Sequence, residues 1–426
     1  MKLKALIWNR YRSFKERQKV ELAPLTVIIG KNGSGKSVIS RLPLILASGV
    51  SNASQSPIDL MAGGVEHAAQ YQDLVNMRGA LPFTLGCEVA GKYGSFEFET
   101  TLRHISETKS LVVEKFELRE NGVDQVKIEI TDVEQLAEAS PRYSYWTVAN
   151  QEEARAIQFS GLLPRVASMV DGDREAFSKA AQYFREALEG ASYLGPFRAE
   201  PDVSTKAPGQ DIRNLGPRGE RATEFLADDK LRHGGAVGKD VGAWFAGVLG
   251  QSVSVDTNGI RPQIAVTDQT TGLQVGLADT GAGLSQALPI VLQNFAARAQ
   301  RLPAPLLIVE QPELHLHPGA HGDLSDLVLE TAIGGSNHGG IPCMIETHSE
   351  QFIMRIRRRI AERVAPDKVV LWSLNHKETA EQPAPETLRI IPFDQKGDPG
   401  AWPVGVFEEA FGDLAKMREA ARSQAK

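Results

Sequence analysis

The 426-residue chain has only two cysteines, Cys87 and Cys343. Two thiols so far apart exclude a disulfide framework and any C-x-x-C metal hook, and they fit a reducing compartment. Nowhere does the sequence hold about 18 consecutive apolar residues, so no spanning helix and no membrane partner are expected. The opening stretch MKLKALIWNRYRSF is interrupted by charge throughout and does not read as a signal peptide. The expected location is therefore the cytoplasm. A dominant charge is missing too: 47 basic against 53 acidic residues leave a formal net charge of -6. Whole-protein attraction to nucleic acid is thus not expected, and any DNA contact would rest on a local patch. Heptads are not sustained, which argues against a long coiled-coil arm. No internal repeat or low-complexity tract occurs. The rest is an ordinary globular mix, 42% apolar and 23% charged, long enough for two or three structural units.

The patterning predicts an α/β fold with a mixed, largely parallel core sheet. Leu3-Ala5-Ile7 and Leu25 to Ile29 read as strands, the second leading into a glycine-rich loop and a helix from about Lys36. Alternation over 83–130, with turn signals at Gly91, Gly94 and Asn121-Gly122, predicts an antiparallel lobe. Residues 131–190 show helix-like patterns, such as Arg174 to Glu189, and 192–220 read as a Gly/Pro-rich functional loop. Residues 251–278 alternate again. The apolar runs 305–310, 341–346 and 368–374 predict buried parallel strands. The expected division is 1–80, 81–190, 191–375 and 376–426.

Gly30-Lys31-Asn32-Gly33-Ser34-Gly35-Lys36-Ser37 matches G-x-x-x-x-G-K-[S/T] in full, between an apolar strand and a helical pattern. Glycines let backbone N–H groups turn toward phosphate oxygens, and the helix N-terminus adds a favourable dipole. Lys36 would reach the β- and γ-phosphates, and the Ser37 hydroxyl would bind Mg²⁺. Asn32, Gly33, Ser34 and Gly35 complete the cradle.

The apolar run 306–309 delivers Glu310-Gln311-Pro312-Glu313 to a strand end. Glu310 is placed to hold the hydration shell of a metal, and Gln311 occupies the position of the base that orients attacking water. A Gln can orient water but cannot take its proton as a carboxylate does. His315 and His317, two apart with no third ligand, are better explained by a helix start and packing than by metal. Downstream, Thr347-His348-Ser349-Glu350 follows a strand candidate. His348 could hydrogen-bond a γ-phosphate, the alternative being a helix cap with a surface His. Asp279-Thr280-Gly281-Ala282-Gly283-Leu284-Ser285-Gln286 precedes an apolar helix pattern and makes a second anion-attracting helix start, with a flexible capped turn as the alternative. Lacking Lys, it could complete a site but not form one unaided.

Phosphate loop, Gly-rich Ser-Gln signature, acidic strand end and Thr-His-Ser appear in the order of ABC-type ATPases. They resemble most the SMC-, RecF- and OLD-like group of AAA family ATPases of prokaryotic defence loci. Gly195-Pro196-Phe197-Arg198, the stretch 310–318 and Thr347 to Glu350 are similar to one subfamily, and Trp402-Pro403-Val404-Gly405-Val406-Phe407 resembles its C-terminal extension. The resemblance implies an ABC-ATPase-like head with an antiparallel β lobe and a helical lobe, ATP and Mg²⁺ as cofactors, and slow hydrolysis where Gln311 replaces the usual Glu, with Glu313 as a substitute. It implies a homodimer or higher homo-oligomer through the heads, Gly283, Ser285 and Gln286 of one chain facing the γ-phosphate held by another. Gln72 lies roughly where such ATPases place a metal-sensing Gln. No acidic Asp-x-Asp cluster follows residue 350, so a Toprim nuclease is not expected and an effector would be a separate polypeptide.

Two basic clusters are candidate DNA contacts. Arg355, Arg357, Arg358, Arg359 and Arg363 crowd one helix pattern, where the alternative is the solvated face of an amphipathic helix. Lys2, Lys4, Arg10, Arg12, Lys15 and Arg17 form the other. The leading expectation is an ATPase that dimerises on ATP and regulates a nuclease or toxin in anti-phage defence. The alternatives are a RecF-like DNA-repair ATPase and a non-hydrolysing nucleotide-dependent scaffold.

Overall fold

The computed structural model describes residues 1–51, 56–92, 94–137, 141–148, 151–200, 205, 209–257, 261–302, 304–335, 338–374 and 388–399. The motif at 402–407 lies outside the described residues. The strands run β1 (Lys2–Asn9), β2 (Gln18–Glu21), β3 (Leu25–Gly30), β4 (Phe83–Gly91), β5 (Gly94–Ile105), β6 (Ser110–Glu120), β7 (Val123–Ile130), β8 (Arg142–Thr147), β9 (Gln151–Ala156), β10 (Phe159–Ser160), β11 (Leu163–Pro164) and β12 (Ser192–Leu194). They continue with β13 (Gln251–Asp256), β14 (Gln263–Asp268), β15 (Gln274–Gly276), β16 (Leu307–Glu310), β17 (Gly334–Gly335), β18 (His338–Gly339), β19 (Cys343–Glu346), β20 (Val369–Leu374) and β21 (Leu388–Ile391). The helices are α1 (Lys36–Val50), α2 (Arg174–Leu188), α3 (Ala222–Arg232), α4 (Ala236–Leu249), α5 (Ala282–Arg298), α6 (Pro318–Ile333) and α7 (Glu350–Glu362).

The core is a six-stranded sheet ordered β12-β16-β19-β3-β20-β21, parallel except for its last pair. Both faces are covered, which is why its strands read as unbroken apolar runs. In β3, Ile28 joins one hydrophobic cluster while Leu25, Val27 and Ile29 join the other. The same alternation sorts Ile308 from Leu307 and Val309, and Met344 from Cys343 and Ile345. One face packs on α1, α2 and the antiparallel lobe, and the other on α3 to α7. The expected α/β architecture is present: a parallel core carrying the phosphate loop, an antiparallel lobe and a helical lobe.

The lobe is an eight-stranded antiparallel sheet, β2-β1-β4-β5-β6-β7-β8-β9. Its first two strands come from the extreme N-terminus, so residues 2–21 belong with 83–156 in space rather than with the core strand that follows them. The inward face docks on α2, where Phe184 meets Phe98 edge-on at 4.7 Å and Phe177 meets Phe116 at 6.0 Å. Gly86 is required there, because a Cβ would lie 2.1 Å from the Phe98 carbonyl oxygen.

The helix-like reading of 131–190 holds for α2 alone among its longer elements; β8 and β9 extend the sheet. Tyr143, Tyr145 and Thr147 are buried in alternation, a period-two pattern that Arg142 and Ser144 on the opposite face disguise. No helix among the described residues is long and apolar enough to cross a membrane.

Candidate functional site

The phosphate loop joins β3 to α1 and lines a cavity of about 540 Å³. Asn32 to Ser37 form its floor, Arg12 and Ser13 one rim, Asp73 and Arg78 another, and Gln311 and Glu346 enter from strand ends. The loop's shape needs glycine at Gly35, whose φ is +99° and where a Cβ would fall 2.8 Å from Ser13 Oγ. Gly33 has φ +75° with open space beside it. Lys36, only 4% exposed, donates to the carbonyls of Gly30 (3.0 Å) and Lys31 (2.9 Å). Burial lowers its pKa while the carboxylates of Glu346, Glu310 and Glu313 oppose that shift.

These groups fit a nucleotide phosphate chain with its divalent cation. The Ser34 hydroxyl is buried without a hydrogen-bond partner, an orphan that a phosphate oxygen would satisfy. Hard oxygen donors, Ser37 and a carboxylate, stand together beside a buried ammonium, which is the donor set that Mg²⁺ and phosphate prefer.

Two carboxylates lie side by side behind the loop, because β16 and β19 pair in register with Glu310 opposite Glu346. The first turns of α1 cross these strand ends and sort them. Ser37, in the first turn, donates to Glu346 at 2.9 Å, and Lys36 Nζ stands 3.9 Å from the same carboxylate. Ser40 and Arg41, three and four positions on and thus on the same helix face, both engage Glu310. Ser40 Oγ donates to Oε1 at 2.8 Å, and the Arg41 guanidinium binds both oxygens at 2.8 and 2.7 Å. Glu310 is 1% exposed and does not line the cavity. Burial, reinforced by the Glu310 charge, pushes the Glu346 carboxyl up to about 7, against the pull of Lys36 and Ser37.

Gln311 lines the cavity at φ +46°, held by its N–H to the Glu346 carbonyl at 2.6 Å. Glu313 does not face the cavity. Its two oxygens accept from Thr347 Oγ1 (2.8 Å) and the His348 backbone N–H (2.6 Å), tying the β16 end to the segment after β19. His348 itself is exposed, and partial desolvation together with the Lys36 charge lowers its pKa. Ser349 caps α7 by accepting from Phe352 N–H at 3.1 Å, and His317 caps α6 by accepting from Gly319 N–H at 3.1 Å. Gln72 sits in a 3₁₀ turn and donates to the Arg78 carbonyl at 3.2 Å, outside the cavity, while its neighbour Asp73 lines it and pairs with Arg78.

The second Gly-rich loop opens α5, with Gly281 as its N-cap. Gly283 packs so closely that a Cβ would lie 2.8 Å from the His315 carbonyl oxygen. The Gln286 amide brackets the backbone of Arg198, accepting from its N–H and donating to its C=O, both at 3.3 Å. Ser285 and Gln286 do not line the phosphate cavity of their own chain. Arg198 in turn donates to the carbonyls of Glu310 (2.8 Å) and Gln311 (3.0 Å), and burial draws its pKa down to about 10. Glu346, Arg41 and Arg198 have no assigned role in the sequence reading. The spacing of Ser37, Ser40 and Arg41 puts three polar side chains on one helix face, but it does not say which strand-end acid each of them meets.

Residues 230–353 match the model of a family described as an AAA ATPase domain. No curated protein matches. Among solved structures, the chain is similar to an SMC head bound to the C-terminal winged-helix domain of ScpA, at 11% identity and TM-score 0.48, covering 88% of this chain and 95% of that one. It is similar also to the SMC head domain from Thermotoga maritima (11% identity, TM-score 0.41, 92% and 100% covered). A third is the Pyrococcus furiosus SMC head with an extended coiled coil bound to the C-terminal domain of ScpA (12%, TM-score 0.43, 98% and 99%).

The arginines of α7, and Arg363 just after it, are each matched by carboxylates. Arg355 pairs with Asp323 and Asp326, Arg357 with Asp398, Arg358 with Glu362, Arg359 with Asp326 and Glu362, and Arg363 with Glu330. In the N-terminal cluster, Arg17 pairs with Glu99 at 2.8 Å.

Proposed function

We propose that the chain is an ATPase of the ABC/SMC-like type that binds ATP with Mg²⁺, hydrolyses it slowly, and pairs head to head while ATP is bound. The carrying observation is the cavity built on the phosphate loop, with Lys36, Ser37 and an orphan Ser34 hydroxyl at one helix N-terminus. The loop's N–H groups and Lys36 hold the phosphates, and Asn32 to Gly35 shape their path. Mg²⁺ would be held beside the Ser37 hydroxyl and would supply neutralisation of the phosphates' negative charge. Gln311 orients water at the cavity wall, and Glu313 sets the position of the 347–348 segment. His348 reports the γ-phosphate. Gly283, Ser285 and Gln286 close a second chain's site.

In this reading a partner effector, a nuclease or toxin, is gated by the paired heads, and the role is anti-phage defence. Both finer statements draw on the motif resemblance. Direct DNA binding by a RecF-like head is the weaker reading, since the α7 arginines are paired with neighbouring carboxylates. The scaffold reading draws support from Gln311, whose neutral amide cannot accept a proton from water as a carboxylate does.

The test is Lys36→Ala. Calorimetry with ATP and Mg²⁺ should give binding to the wild type and a loss of at least about tenfold for the variant, one tenfold step being about 1.4 kcal/mol. Unchanged affinity rejects the phosphate-loop assignment. Equal protection by wild type and variant in a plaque assay rejects ATP-dependent defence.

A further inference from the structure

The two buried acids behind the loop are chemically distinct. Glu310, at the strand end where the sequence places the metal's carboxylate, is committed to Ser40 and Arg41 through both its oxygens and does not border the cavity. A carboxylate held bidentately by a guanidinium in a dry site has little capacity left for a hydrated cation. Glu346 borders the cavity, accepts from the Ser37 hydroxyl through Oε2, and turns Oε1 toward Lys36 at 3.9 Å. The arrangement follows from helix and strand geometry: the first turn of α1 lies over β19 and the second over β16.

From this placement we infer that Glu346, not Glu310, is the carboxylate that holds the hydrated Mg²⁺ beside Ser37, while Glu310 anchors α1 to the sheet through Arg41. The inference rests on the ATP-binding reading and deepens it. Mg²⁺ dehydrates reluctantly and is commonly held by one or two carboxylates together with substrate phosphates. Glu346 supplies that acid from the strand next to the phosphate loop. Because β19 continues directly into Thr347 and His348, the metal's carboxylate and the segment that Glu313 grips are one piece of chain. Loss of the metal contact would therefore be felt at once by the residues that follow.

The experiment measures metal dependence of binding, apart from turnover. A non-hydrolysable ATP analogue is titrated calorimetrically into wild type, Glu346→Gln, Glu346→Asp and Glu310→Gln, with Mg²⁺ and with EDTA. The wild type should bind more tightly with Mg²⁺. Glu346→Gln should lose about 10–100-fold of that enhancement, the usual cost of removing a group that orients a metal's shell, and bind as wild type does in EDTA. Glu346→Asp, which keeps the charge on a shorter arm, should recover part of it. Full enhancement in Glu346→Gln, with loss in Glu310→Gln, overturns the inference and returns the metal to Glu310. If the folded wild type binds no nucleotide, the functional reading fails and takes this inference with it. If the wild type and Glu346→Gln show the same enhancement, only the inference fails.

Discussion

Gln311 is held in place more firmly than its side chain suggests. Its φ of +46° is uncommon for a residue with a Cβ, its N–H is spent on the Glu346 carbonyl, and its own carbonyl accepts from buried Arg198. The backbone therefore aims residue 311 at the cavity whatever its side chain, so Gln311→Glu should introduce a base where only an orienting amide now stands. Single-turnover hydrolysis should then rise by up to about 10²-fold. The competing candidate, Glu313, is engaged through both oxygens with the segment after β19. Glu313→Gln should therefore disturb that segment more than it removes a base. If Glu313→Gln abolishes turnover while Gln311→Glu leaves it unchanged, the base is Glu313 and the assignment at 311 is wrong.

At the scale of elements, α1 does two jobs on successive turns. Its first turn faces the cavity and its second fastens the helix to β16 through Arg41 and Glu310, with the guanidinium also over the Tyr193 ring at 5.8 Å. Removing one partner of such a pair leaves an uncompensated buried charge. Arg41→Met should thus cost roughly 3 kcal/mol, read as a lower urea midpoint at unchanged slope. No loss of stability would show that water reaches Glu310 and that the anchor is dispensable. Legibility in the sequence followed the same geometry. Strands buried on both faces, β3, β16, β19 and β20, announced themselves as apolar runs, and the phosphate loop lay between two of the clearest patterns in the chain. The strand β8 did not, because Tyr, Ser, Trp and Thr mix polar and apolar character and blur the period of two, and β9 did not, because its sequence Gln-Glu-Glu-Ala-Arg-Ala has alanine as its only apolar residue type. The site was legible where one motif held it, from Asn32 to Ser37. It was illegible where side chains from two strands meet one helix, since sequence spacing cannot say whether Glu310 or Glu346 lies under the first turn.

At the scale of the whole molecule, the α5 N-terminus, capped by Gly281, is the element that bears on assembly. The Ser285 hydroxyl donates to the Ala282 carbonyl at 3.0 Å, its one side-chain partner among the described residues, and Ser285 does not line the phosphate cavity. Gln286 and Arg198 nevertheless connect this helix start to the Glu310-Gln311 strand end. A γ-phosphate held by one chain and met by the α5 N-terminus of another would give the helix dipole its anion. The same contact would be relayed by Arg198 to the second chain's own Gln311. ATP with Mg²⁺ should therefore shift the wild type from single chains to pairs in sedimentation velocity, with midpoint set by protein concentration. Ser285→Arg puts a bulky side chain where the partner's phosphate must approach but does not touch the Lys36 loop. Its affinity for the ATP analogue should stay within about twofold of the wild type at concentrations too low for pairing, a change well below one 1.4 kcal/mol step, while the nucleotide-dependent pairs disappear. If wild type and Ser285→Arg sediment alike with and without nucleotide, the heads do not share their sites, and the Arg198 relay is confined to one chain.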